Sequence, residues 1–258
     1  DGHISYIADF PNSSDCFAGV NIAGGICYFL WERDKRYKLC KVENFKNDKS
    51  VSLAERNLSE YPYFVRDNYA INIITKIRRK KEKTVDKVVF SRNSFNIPSN
   101  ERGHERERNN DCRLLSSEGY SFVDRRNIYD KDNILKKHKV IITYAMSGGN
   151  KPTVDGNYQI ISSLSVLPPD EVCTETYLVI SAFNNAKEAK NMISYVKSKF
   201  FRFLLLQALS SIHITKSTFI FVPLQDFSHP WTDEMLYKKY GLDENEIAFI
   251  ESMIRPME

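Results

Sequence analysis

No apolar run in the chain approaches the roughly 18 residues that a membrane-spanning helix needs, and no secretory leader is visible. A membrane partner is therefore not expected. Cysteine is sparse: Cys16, Cys27, Cys40, Cys112 and Cys173 are odd in number, dispersed, and contain no close pair. That usage argues against a disulfide framework and a zinc site, and suits reduced thiols in a cytoplasmic protein. No serine sits in a nucleophile-elbow pattern, which removes the most recognisable hydrolase signature. Charge of one sign is also lacking. A net charge of +4 and a pI near 8.6 are mildly basic, below the value of about 9 typical of a dedicated nucleic-acid-binding domain.

What is present is apolar and aromatic. Of the 258 residues 42% are hydrophobic and 12% aromatic, enough for a sizeable core in one large or two small domains. The most informative stretch is residues 10–34, FPNSSDCFAGVNIAGGICYFLWERD. Turn formers open it, a glycine-bearing approach follows, and the run Ile26-Cys27-Tyr28-Phe29-Leu30-Trp31 ends at Glu32-Arg33-Asp34. A short apolar run between turn signals predicts a buried strand, with Cys27 as a small buried hydrophobe. Residues 4–10 predict a second strand beside it. Two strands this apolar call for other layers to cover them.

Residues 10–34 resemble a segment of bacterial adenine-specific DNA methyltransferases from restriction–modification systems. In that family the segment lies late in the catalytic domain, before the target-recognition domain. Residues 89–95 (VFSRNSF), 174–205 and 221–256 are similar to the same family, and residues 98–139 are the least similar. Where the family form reads Ser-Arg-Lys-Pro-Phe-Gly, this chain has Asn93 and Ser94 in place of Lys-Pro. The family's glycine loop for S-adenosylmethionine and its Asn-Pro-Pro-Tyr or Asp-Pro-Pro-Tyr turn are absent. The one Pro-Pro, Pro168-Pro169, lies between Leu167 and Asp170.

The resemblance thus implies the last strands of a catalytic domain followed by a recognition domain. The polar residues 44–50 place the boundary, giving residues 1–43 and residues 44–258, and the elements of the second part read as α+β. It implies double-stranded DNA and an N-terminal catalytic domain as partners. It also implies no cofactor in this chain and S-adenosylmethionine in an intact parent. The alternative is a non-catalytic specificity or protein-interaction subunit, with residues 232–256 as its interface.

Along the chain, residues 37–42 predict a third strand, joined to the second by a hairpin at residues 33–36. The polar residues 44–50 predict a linker. Ser59 is the expected N-cap of a long helix whose Ala70, Ile73, Ile74 and Ile77 share one face. Residues 86–90, 120–123, 139–144, 176–181 and 218–222 predict strands, and residues 99–113 a polar surface loop. Asn185 and Glu188 predict a capping box for a helix over residues 186–208. Lys190, Lys197, Lys199 and Arg202 then form its solvated side. Thr232 is expected to cap a short helix ending at Gly241, and Asp243 with Glu246 a final one.

Candidate sites follow from chemistry and placement. Six cations fall within residues 76–83. They complement a helix C-terminus as solvated charge, or meet DNA phosphates. The candidate DNA contacts are Lys76, Arg78, Arg79, Lys80, Ser91, Arg92, Asn93, Ser147 and Lys151. Arg92 suits guanine and Asn93 suits adenine. No catalytic or metal-ligating residue is expected, and His104 lacks a suitably spaced partner. Asp170 with Glu188 and Lys190 spells a nuclease pattern, but Glu188 and Lys190 open a predicted helix, where positions i and i+2 point apart.

Overall fold

The computed structural model describes residues 2–20, 22, 24–146, 152–153 and 155–257. Its strands are β1 (Ile4–Phe10), β2 (Ile26–Trp31), β3 (Cys40–Lys46) and β4 (Lys49–Arg56), followed by helix α1 (Asn68–Arg79). Next come β5 (Asp111–Ser116), β6 (Gly119–Asp124), β7 (His138–Thr143), β8 (Leu164–Leu167), β9 (Glu171–Cys173) and β10 (Tyr177–Phe183). Helices α2 (Ala186–Lys197), α3 (Lys199–Leu206), α4 (Asp233–Tyr240) and α5 (Glu244–Met253) complete the chain. The fold is α+β, as expected.

Alternation along β7 and β10 sets the layering. Val140, Ile142, Leu178 and Ile180 face the helices, where they join Ile73, Ile74, Val196, Phe200 and Leu204 in the main core. Ile141 and Val179 point the other way, onto Cys112, Leu114, Val123 and Val172. Successive strand residues face opposite sides, so the antiparallel sheet β10-β7-β8 is buried on both. Helices cover one side and the sheet β6-β5-β9 the other.

A third sheet, ordered β2-β1-β3-β4, stands apart with a small cluster of its own around Ile7, Cys40 and Val42. Here β1 runs antiparallel to β2 and parallel to β3. Strand β2 therefore lies at the edge and is not paired with β3, so residues 33–36 make no hairpin. Gly25 leads into it at φ +67, and a Cβ there would lie 2.2 Å from the Phe10 carbonyl oxygen. Only glycine fits that approach.

Strand β2 exists as expected but is not buried. Tyr28, Phe29, Leu30 and Trp31 are each about half exposed, and Cys27 is exposed too. Hydrophobicity marks a strand that suits a cover, and among the described residues nothing supplies one. Residues 44–50 are likewise no linker. They are the end of β3, a two-residue turn and the start of β4. Asn47 and Asp48 both take positive φ, as the tightest hairpin turns require.

Helix α1 buries Ala70, Ile73, Ile74 and Ile77 as the periodicity predicts, but Asp67 caps it, not Ser59. Residues 86–90 and 218–222 are not strands. A 3₁₀ turn at Val85–Lys87 and another at Lys216–Phe219 occupy them. They are tied across the chain by Val85 N–H to the Val222 carbonyl at 2.8 Å. Their β-branched residues fill a core position without forming a ladder. Asp111–Ser116 is a strand, so the polar loop ends before Asp111.

The helix expected over residues 186–208 is two helices. Ser198 leaves helical geometry at φ −61, ψ 147 and caps α3 by accepting the Phe201 N–H. Serine competes with the helix backbone in this way. Arg202 does not join a solvated side. It is 2% exposed and donates to the carbonyls of Arg255 (2.6 Å) and Lys197 (2.9 Å). Burial pushes it down to about 10. The caps at Thr232 and Gly241 form where expected and Asp243 with Glu246 closes a capping box, whereas Asn185 accepts the Glu188 N–H without the return bond that would make a box.

Candidate functional site

The cations of α1 sit where its rotation places them. With Ile73, Ile74 and Ile77 facing the core, Arg78, Arg79 and Lys80 turn outward and are exposed. Lys81 follows at φ +53 and reverses the chain. The segment is held by backbone bonds, with the Lys83 carbonyl accepting Leu224 N–H at 2.7 Å. Among the described residues, Arg78, Arg79, Lys80, Lys81 and Lys83 pair with no carboxylate. The Arg78 guanidinium lies 5.2 Å from the Tyr61 ring centre. A groove of about 410 Å³ runs beside it, lined by Lys81, Lys87 and Phe221 among others.

Lys76 differs. Its ammonium meets Glu246 at 2.6 Å and Asp243 at 3.2 Å. The Glu246 bond foremost raises its pKa. Two carboxylates already neutralise it, so less of its charge is left for another anion.

Ser91, Arg92 and Asn93 form a second group, anchored to β10 by Phe90 N–H on the Val179 carbonyl at 3.0 Å. Ser91 and Arg92 are exposed. Asn93 takes φ +59, and its side-chain oxygen accepts Ile97 N–H at 2.7 Å. That oxygen holds a turn. Arg92 lies 4.3 Å over the Tyr144 ring and 3.5 Å from Glu175. Tyr144 stacks on His213 with ring centres 4.8 Å apart. These side chains border an open groove of about 300 Å³. Ser147 and Lys151 lie outside the described residues.

Sequence reasoning missed Tyr144, Glu175 and His213, because their proximity to Arg92 is made by the fold. It also missed the joint between the β1-containing sheet and the helices. There Arg66 grips Asp9 with Nη2–Oδ1 at 2.8 Å, and Asn44 accepts Asn68 N–H at 3.0 Å. Burial raises the Asp9 and Asp67 carboxyls, with Arg66 opposing the rise at Asp9. The cavity at this joint is about 40 Å³, large enough for about one water and no organic ligand.

Among the described residues no group of three His, Cys, Asp or Glu side chains is placed to hold a metal. His104 bonds Asp111 at 2.7 Å. Glu188 and Lys190 lie in the first turns of α2, while Asp170 is paired with Arg125 and Lys136. Among the described residues no helix is long and apolar enough to cross a membrane. A scan against protein-family models and a search of curated proteins both returned no match to the chain.

Proposed function

We propose that this chain is the DNA sequence-recognition part of a site-specific adenine DNA methyltransferase of a restriction–modification system. The observation that carries this reading is the run of exposed cations Arg78, Arg79, Lys80, Lys81 and Lys83, none paired with a carboxylate among the described residues. The uncovered edge strand β2 adds support. Residues 26–31, within the segment that resembles the family, form a strand whose Tyr28, Phe29, Leu30 and Trp31 are left half exposed. An edge this apolar suits burial against another domain. The occupant we propose is the remainder of the catalytic domain, which binds S-adenosylmethionine and holds the target adenine outside the stack. The chain itself transfers no methyl group in this reading.

The DNA side rests on the unpaired cations. Arg78, Arg79, Lys80, Lys81 and Lys83 supply phosphate contacts that set register, and the Arg92 loop supplies side chains that can reach base edges. A protein-interaction subunit that does not bind DNA shares the uncovered strand and is the second reading. Fluorescence anisotropy with a duplex pool at two salt concentrations separates them. Phosphate binding weakens steeply with salt, and apolar protein docking does not.

A further inference from the structure

Resting on the DNA-recognition reading, we propose that Arg92 reads a guanine base edge and that Tyr144 and Glu175 are the residues that position it.

Arg92 is held without being consumed. Its side chain is half exposed and Glu175 is 25% exposed, with their nearest charged atoms 3.5 Å apart. A charge-assisted bond closes to about 2.7–2.9 Å, so the guanidinium keeps its donors. The Tyr144 ring, 4.3 Å away, supports its plane. Glu175 is fixed in turn: its other oxygen accepts Ser99 N–H at 3.3 Å, and its own N–H bonds the Ile97 carbonyl at 2.9 Å. Tyr144 is fixed through its N–H on the Thr176 carbonyl (2.9 Å) and its carbonyl on Ile214 N–H (2.8 Å). A planar fork held at a groove mouth with free donors matches the paired O6 and N7 acceptors of guanine in the major groove. Lysine carries the same charge but lacks the fork.

Arg113 provides an internal control. It lies 3.8 Å over Tyr120, yet it is bonded to Glu171 at 3.2 Å, so one donor is already committed.

The test is selection of the full chain and its Arg92→Lys, Arg92→Ala and Arg113→Lys variants against a random duplex pool. Anisotropy on the selected duplexes then follows across a salt series. The wild type and Arg113→Lys are expected to select a guanine at a shared position. Arg92→Ala is expected to lose that preference by about tenfold or more, and Arg92→Lys to weaken it while its salt dependence stays unchanged. Thermal melts should leave all three variants folded, because both arginines are exposed. Retained guanine preference in Arg92→Ala overturns the proposal. So does an Arg92→Ala variant that weakens all sequences equally and lowers the salt slope by about one, the mark of a phosphate contact. Wild-type binding with no guanine preference sinks the Arg92 assignment and leaves the recognition reading standing. A wild type that binds no duplex at low salt sinks both.

Discussion

Arg66 closes on Asp9 through two nitrogens, with Nη2–Oδ1 at 2.8 Å and Nε–Oδ1 at 3.1 Å. The same guanidinium donates to the carbonyls of Gly24 and Phe10. One side chain thereby ties the start of α1 to the sheet that carries β2. Asp9 is 2% exposed, so its carboxylate depends on this partner. Arg66→Ala is expected to cost about 3–5 kcal/mol at neutral pH, the range for stranding one member of a buried pair. Burial already raises the Asp9 carboxyl, and the variant raises it further. A carboxyl whose folded pKa exceeds its unfolded value loses stability as pH rises through that window. The deficit of the variant should therefore shrink as pH falls toward about 4. Urea unfolding at several pH values measures it.

Lys139 gives the opposite slope. Its buried ammonium donates to the carbonyls of Leu135 (3.1 Å), Lys137 (2.7 Å) and Pro168 (2.8 Å). Burial pushes it down to about 8, below the unfolded value near 10.4. Between these values the unfolded chain binds more protons, so stability rises with pH. The unfolding free energy of the wild type, relative to Lys139→Met, is expected to increase from pH 8 to pH 10. A flat difference would show that Lys139 keeps its ordinary pKa.

Ser198 separates two helices and bonds both. Its hydroxyl donates to the Tyr195 carbonyl at 2.6 Å and accepts Phe201 N–H at 3.1 Å. Ser198→Ala is expected to destabilise the fold by about 1–2 kcal/mol, as lost N-caps do. Chemical denaturation reads this directly, and an unchanged midpoint would contradict the capping role.

The segments read correctly from sequence are those with local causes. Ala70, Ile73, Ile74 and Ile77 repeat at helical spacing, and Asp243 with Glu246 close a cap within four residues. The segments read wrongly have distant causes. Thr218–Val222 has strand-like composition, but Val85, more than a hundred residues earlier, bonds it as a turn. Apolar residues in β2 identify a strand without saying whether anything covers it. Arg92 was legible as a loop cation. Its neighbours Tyr144, Glu175 and His213 come from three separate segments, and no spacing rule connects them.

The uncovered strand predicts a substitution that is silent for folding. Phe29 is 57% exposed, so Phe29→Lys should change stability by no more than about 0.5 kcal/mol. It should also suppress any concentration-dependent association, because a charge on an edge strand opposes pairing. Light scattering and thermal melts check both. A strongly destabilised variant would mean that β2 is packed within this chain.

The most direct measurement is the slope of log affinity for duplex DNA against log salt. The cations Arg78, Arg79, Lys80, Lys81 and Lys83, unpaired among the described residues, predict a slope between about −3 and −4.5, near −0.9 for each neutralised phosphate. The Arg79→Gln/Lys80→Gln variant should be shallower by about two. An affinity that does not change with salt, or the same slope in the variant, would contradict DNA recognition through this surface.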